Sequence, residues 1–350
     1  MVPLKEVHYN PVIRDAKAIL VGDLGGTNSN FGVFAKINGQ FLLVLSLHAK
    51  SQHVTSFTDL VQQIVTYLKD TYAITITDIC LAAAGPVNAE RTFIKPTNLN
   101  IPVDTIEIMK VLKDVRVYLA NDFEVIGYGL PYIDAKAIVA VTNVAPRMHA
   151  CKAIIGAGTG LGKCILYWSD GAKNYLPIAS EGGHADFPAQ SQRELDLVKY
   201  IQKYENWRHP ISWEDVLSGN GIQRIYHFLR NAEHNHPIAK ETRVHGPQPD
   251  EIFKSRLLDD YCKQTFAWYT AFYARCAKDF ALDTLALGGL YIAGGIAAKN
   301  LELFELPEFK NEFFASGKMG TMLAQIPVFV ITDYNVSLYG AAHYLLAKGV

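Results

Sequence analysis

Val21-Gly22-Asp23-Leu24-Gly25-Gly26-Thr27-Asn28 stands between two apolar runs, residues 18–21 and 31–34. A second stretch, Gly156-Ala157-Gly158-Thr159-Gly160-Leu161-Gly162, stands in the same way between residues 153–155 and 164–168. Strand, glycine-rich turn and strand make a hairpin. A tip built of Gly and Thr can aim several backbone N–H groups and hydroxyls at one anion. The bland alternative is two hairpins whose glycines only relieve turn strain. The Asp in the first loop and the Thr in each are more than that alternative needs. A dinucleotide fingerprint would need a glycine where Leu161 stands, and a helix after the loop; a Walker A loop would need Gly-Lys-Ser/Thr. Neither pattern is present.

With 350 residues the chain is long enough for two lobes with cores of their own. A formal net charge of −1 gives no basic stripe for nucleic acid. No apolar run reaches membrane-spanning length, and residues 1–20 hold no signal-type apolar core. Cys80, Cys151, Cys164, Cys262 and Cys276 lack C-x-x-C spacing and read as reduced small hydrophobes. A soluble, cytoplasmic protein is expected.

Apolar periodicity predicts strands over 41–47, 79–83, 115–120, 287–292 and 328–332, and helices over 57–72, 105–112, 194–204, 213–217, 222–231, 257–280 and 337–346. This alternation indicates an α/β protein. Residues 233–250 carry His234, His236, His245 and three prolines and read as a surface loop.

Asp122 directly follows the apolar segment 115–120, and ligands of open α/β sheets collect at the carboxyl ends of strands. A carboxylate there can serve as a general base, while Asn121-Asp122 also suits a turn or a helix cap. In Glu181-Gly182-Gly183-His184 two glycines let the backbone approach a ligand while Glu and His offer acceptors and donors. The same residues could form a plain polar loop. Glu214 lies in Ser212-Trp213-Glu214-Asp215, where Ser212 and Asp215 already make a capping box. Asn98 follows Lys95-Pro96-Thr97 in a loop, and Gly294-Gly295 joins a strand to a helix.

Taken together and in this order, these motifs resemble the bacterial-type glucokinase family, within the actin, sugar-kinase and chaperone-ATPase superfamily. The resemblance runs from Ile19 to Leu346. It implies an α/β, two-lobed actin-like ATPase (ribonuclease-H-like) fold with a ligand cleft between the lobes. The small domain would comprise residues 1–132 with 332–350, the large one 133–331. The implied activity is ATP-dependent phosphorylation of glucose to glucose 6-phosphate, with Asp122 taking the proton of the 6-hydroxyl. Asn98, Asn121, Glu181, His184 and Glu214 would hold the sugar hydroxyls. Asp23 would organise Mg²⁺ through water. Gly25, Gly26, Thr27, Asn28, Gly156, Gly158, Thr159 and Gly160 would wrap the phosphates, and Gly294-Gly295 would meet the adenosine. Family members are often dimers, so a homodimer is implied. The Thr97-Asn98 loop continues to Ile101, where many members carry Trp. Two other readings are open: a kinase for another hexose or an amino sugar, and a nucleotide-driven switch of the actin type.

Overall fold

In the computed structural model, which describes residues 1–12, 14–232 and 246–350, the chain divides into two compact units. One comprises Met1–Ala135, Asn174–Ala179 and Asp333–Val350; the other comprises Lys136–Lys173 and Ser180–Thr332.

The first unit is built on a sheet of β1 (Lys5–His8), β2 (Lys17–Leu24), β3 (Asn28–Ile37), β4 (Gln40–Lys50), β5 (Thr75–Ala83) and β8 (Arg116–Asn121), in the order β1-β4-β3-β2-β5-β8. A small two-stranded ribbon, β6 (Phe93–Ile94) with β7 (Val103–Asp104), lies between β5 and β8 in the chain. The first glycine stretch is the tip of the antiparallel β2–β3 hairpin, with Leu24 opposite Ser29. From β2 the sheet turns parallel through β5 to β8. One face packs on the helices Phe57–Tyr72 and Thr105–Val111, through Leu60, Ile64, Leu68 and Ile108. The other packs on Asp122–Gly129 and Val336–Ala347, through Val125, Leu338, Ala341 and Leu345. Strands buried on both faces read as unbroken apolar runs, and that is why 18–21 and 79–83 stand out in the sequence.

Two helices meet unusually closely on that second face. A Cβ on Gly340 would overlap the carbonyl oxygen of Val125, and one on Gly129 would overlap that of Val336. Paired glycines let the backbones of Asp122–Gly129 and Val336–Ala347 touch.

The second unit carries β9 (Ile138–Ala140), β10 (Lys152–Ala157), β11 (Leu161–Ser169), β13 (Leu290–Ala293) and β14 (Val328–Ile331) in the order β11-β10-β13-β14-β9. β12 (Asn174–Ser180), all but its last residue counted with the first unit, leads in the chain to the Glu181 loop. β10, β13 and β14 are parallel; β11 and β9 are antiparallel to their neighbours. Its core is aromatic and helical, with Phe187, Trp213, Phe266, Tyr269, Phe272 and Tyr273 buried together. Arg275 is buried there and bonds both Glu194 (2.8 Å) and Glu312 (3.0 Å).

Several boundaries differ from the sequence reading, and three of them have a local cause. The helix expected from residue 257 begins at Asp260, because the Asp259 side chain caps it by accepting from the Cys262 N–H at 2.7 Å. The strand expected from residue 287 begins at Leu290, since Gly289 takes a positive φ of 120° that an extended strand cannot hold. The loop expected through Asp250 stops short of the helix Pro249–Lys254, which opens on a proline. His234, His236 and His245 lie outside the described residues. Among the described residues no helix is long and apolar enough to cross a membrane. Of the five cysteines, all free, Cys151 alone is not fully buried.

Adding one methyl group at the glycine contact is expected to be costly, because the opposing atoms are backbone and cannot rotate away. Gly340→Ala should lose about 2–4 kcal/mol of stability. Thermal denaturation of purified wild-type and variant protein measures it, and an unchanged midpoint would show that the two helices separate freely.

Candidate active site

In the first unit, two of three neighbouring parallel strands carry a candidate residue at their carboxyl ends. Asp23 lies next to Ala82 across the β2–β5 ladder, and Ala83 lies next to Asn121 across β5–β8. Strands stand about 4.8 Å apart, so Asp23 and Asn121 sit roughly 10 Å apart at the carboxyl edge. Ligands of such sheets bind at this edge.

Asn121 ends β8 and caps the next helix. Its Oδ1 accepts from the N–H groups of Phe123 (2.9 Å) and Glu124 (3.1 Å), and its Nδ2 donates to the Gly85 carbonyl at 3.2 Å. Glu124 completes the capping box, so Asp122 is the first residue of the helix, partly exposed at its positive end. Arg91 pairs with Glu124 at 2.5 Å, balancing a carboxylate that is otherwise buried. The cap reading of Asn121-Asp122 holds: Asn121 makes the cap, and Asp122 follows as the first helical residue. Asn98 sits in the neighbouring turn, where the Thr97 N–H donates to the Ala84 carbonyl at 3.1 Å and the Thr97 side chain rests against Gly85, whose φ is 114°.

At the first glycine tip, Ser51 braces the loop from below. Its hydroxyl donates to the Gly25 carbonyl at 2.6 Å and its N–H to the Thr27 carbonyl at 3.1 Å. Lys50 Nζ donates to Asn28 Oδ1 at 2.9 Å. Asp23 is partly buried, and burial pushes its carboxyl pKa up, with one opposing contribution from the hydroxyl of Ser337 at 2.7 Å. A partly buried carboxylate with a raised pKa is a group that a hydrated cation can favour in its ionised form. Mg²⁺ keeps most of its waters and needs only one or two protein carboxylates beside substrate phosphates, so Asp23 fits it.

In the second unit, the second glycine tip joins β10 to β11, with Gly156 opposite Gly162 and Ala157 opposite Leu161. β13 ends beside it. Gly156 pairs with Ala293, and Gly294, at φ 91°, rests where a Cβ would come 2.5 Å from the Ala157 carbonyl oxygen. Gly294 caps the short helix Gly295–Lys299. Gly156, Gly158, Thr159, Gly160, Gly294 and Gly295 are therefore one neighbourhood. The Gly158 carbonyl also accepts from the Gly219 N–H at 3.0 Å.

Glu181 and His184 flank a single 3₁₀ turn, Gly182–His184. His184 Nε2 lies 3.8 Å from Glu181 Oε2, and both side chains are half-exposed. Gly183 is pressed against the Leu161 carbonyl, where any Cβ would overlap it. Leu161 donates its N–H to Glu214 Oε2 at 2.8 Å. Asp215 carries out the capping, accepting from the Ser212 N–H (2.9 Å) and hydroxyl (2.8 Å), so Glu214 is left for another task. Leu161 thus joins the Glu181 loop, Glu214 and the second glycine tip.

A protein-family model described as Glucokinase matches residues 20–348. The chain belongs to the glucokinase family. A curated glucokinase from Nostoc punctiforme is 34% identical over 340 residues, covering 93% of this chain and 97% of the relative. The crystal structure of a glucokinase from an Antarctic psychrotroph superposes with a TM-score of 0.74 at 26% identity, covering 94% of this chain and 99% of that one. A ROK family glucokinase from Streptomyces griseus, solved in complex with glucose and AMPPNP, matches at TM-score 0.64 and 17% identity over 93% and 98% of the two chains. The α/β, actin-like ATPase fold expected from the sequence is the fold of this glucokinase-family chain.

Ser337 was not among the residues singled out from the sequence. It stands 314 positions from Asp23, and nothing local to either residue marks the pair.

Because the folded-state pKa of Asp23 is raised, the fold favours the protonated acid. That contribution is complete below the unfolded-state value and is lost as pH rises through the folded one. Asp23→Asn is therefore expected to raise the melting temperature of the ligand-free protein by roughly 1–3 °C at neutral pH, with the gain shrinking near pH 4. Scanning calorimetry across pH reads the difference; a gain that grows towards acid would contradict the burial argument.

Proposed function

We propose that this glucokinase-family enzyme transfers the γ-phosphoryl group of ATP to the 6-hydroxyl of glucose, with Asp122 as general base. The observation that carries this reading is the capped presentation of Asp122 at the carboxyl edge of β8, level with the glycine tip that holds Asp23. The 6-hydroxyl gives its proton to the Asp122 carboxylate as its oxygen attacks the γ-phosphorus, and ADP leaves with the bonding pair. Phosphoryl transfer asks mainly for alignment and charge stabilisation, with little covalent work from the protein.

Glu181, His184 and Glu214 are assigned to the sugar hydroxyls, with Asn98. The separation of Glu214 from the capping duty of Asp215 supports its share. Asn121 spends its amide on the helix cap and Gly85, so its contribution is chiefly to hold Asp122 in place. Gly25, Gly26, Thr27, Asn28, Gly156, Gly158, Thr159 and Gly160 are assigned to the phosphates, and Gly294 and Gly295 to the adenosine. Asp23 is assigned to Mg²⁺ through water. The ion, when bound, offsets charge on the phosphates. A homodimer, implied by the family resemblance, is read by light scattering of the purified protein.

Asp122→Asn keeps the cap and the shape while removing the base. Turnover is expected to fall by about 10²–10⁴-fold, with glucose binding within a few-fold of wild type. A coupled assay of ADP release and calorimetric titration of glucose measure the two. Near-normal kcat would overturn the assignment. Run across glucose, mannose, fructose, glucosamine and N-acetylmannosamine, the same assay is expected to favour glucose.

A further inference from the structure

We propose that Ser337 is a positioning residue that presets the Asp23 carboxylate for its cation, an inference resting on the assignment of Asp23 above. Ser337 is the second residue of the helix Val336–Ala347 and is buried, at 6% exposure. A serine near a helix start ordinarily turns its hydroxyl back onto its own backbone. This one does not: its hydroxyl donates to Asp23 Oδ2 at 2.7 Å, and the helix has no side-chain cap bond at all.

The surroundings of Asp23 leave few alternatives. It lies opposite Asn30 on β3 and Ala82 on β5, and the helix above supplies Ser337. One bond from a hydroxyl stabilises the ionised form and fixes the plane of the carboxylate. Oδ2 is occupied, and Oδ1 is the oxygen left to accept from a metal-bound water. The contact also makes the helix a bracket. Its first turn holds Asp23, and three residues further on Gly340 lies against Val125 and Gly129 of the helix that Asp122 begins. The metal-side carboxylate and the catalytic base are held by adjacent turns of one helix.

Three variants test this: Ser337→Ala, Ser337→Thr and Asp23→Asn. Two quantities are read. One is the Mg²⁺ concentration for half-maximal activity, at saturating glucose and fixed ATP. The other is the titration midpoint of the Asp23 side-chain carboxyl in the ligand-free protein. The midpoint is followed by ¹³C NMR and assigned by the signal's loss in Asp23→Asn. In Ser337→Ala the Mg²⁺ requirement is expected to rise about five- to tenfold, with glucose KM nearly unchanged. The carboxyl midpoint should move up, because a bond to the charged form is gone. Ser337→Thr keeps the hydroxyl and should return both towards wild type. A serine that only packs would lower the melting temperature of the alanine variant and move neither quantity, and that result overturns the proposal. If Asp23→Asn raises the Mg²⁺ requirement while Ser337→Ala does not, the proposal alone falls. If Asp23→Asn leaves it unchanged, the assignment of Asp23 fails and the proposal fails with it.

Discussion

The register of the parallel ladder β2–β5–β8 is the constraint on which the first unit depends. Each strand is fixed against the next by main-chain hydrogen bonds, and a slip of one residue would turn every apolar side chain to the wrong face. With both faces buried, one set under the helix Phe57–Tyr72 and the other under Val336–Ala347, such a slip is not tolerated. The same register brings Asp23, the Gly85 turn and Asn121 to one edge. Side chains that could do chemistry are therefore placed by apolar ones that cannot. The capping box at Asn121 then converts a strand end into a helix start, with Asp122 as its first residue and the Asp122 Oδ1 also accepting from the Phe123 N–H at 2.9 Å.

The second unit reaches a comparable arrangement through glycine and a single leucine peptide. Gly183 and Gly294 each lie against a carbonyl of the β10–β11 hairpin, where no side chain would fit. Leu161 gives its N–H to Glu214 and its carbonyl face to Gly183. Loops that carry polar groups towards a ligand are costly to order one at a time, since each ordered residue gives up conformational entropy. Sharing one rigid hairpin between three of them spreads that cost.

Much of this was legible from residue order because it is local. Both glycine hairpins, the strand before Asp122 and the Ser212–Asp215 cap rest on neighbours within a few positions, and local pattern reports such features well. Glu214 shows where pattern stops: the capping box explained the acidic pair, yet only Asp215 serves it, and the partner of Glu214 is 53 residues away. Ser337 is the same case at longer range. A polar residue near a helix start is expected to cap that helix, and only tertiary packing turned its hydroxyl elsewhere. The helix boundary at Asp260 was missed for a local reason: apolar residues before it continue the helical spacing, and Asp259 overrides them by its side-chain bond.

The closing helix has a consequence for how the protein is made. Val336–Ala347 supplies Leu338, Ala341, Ala342, Tyr344 and Leu345 to a core layer whose other members include Ile19, Val21, Phe34 and Leu43. During synthesis those early strands leave the ribosome with one face bare, and they remain so until residues 336–347 have followed. An interrupted translation product therefore displays an apolar sheet surface that chaperones and proteases can recognise. It also lacks the hydroxyl that engages Asp23.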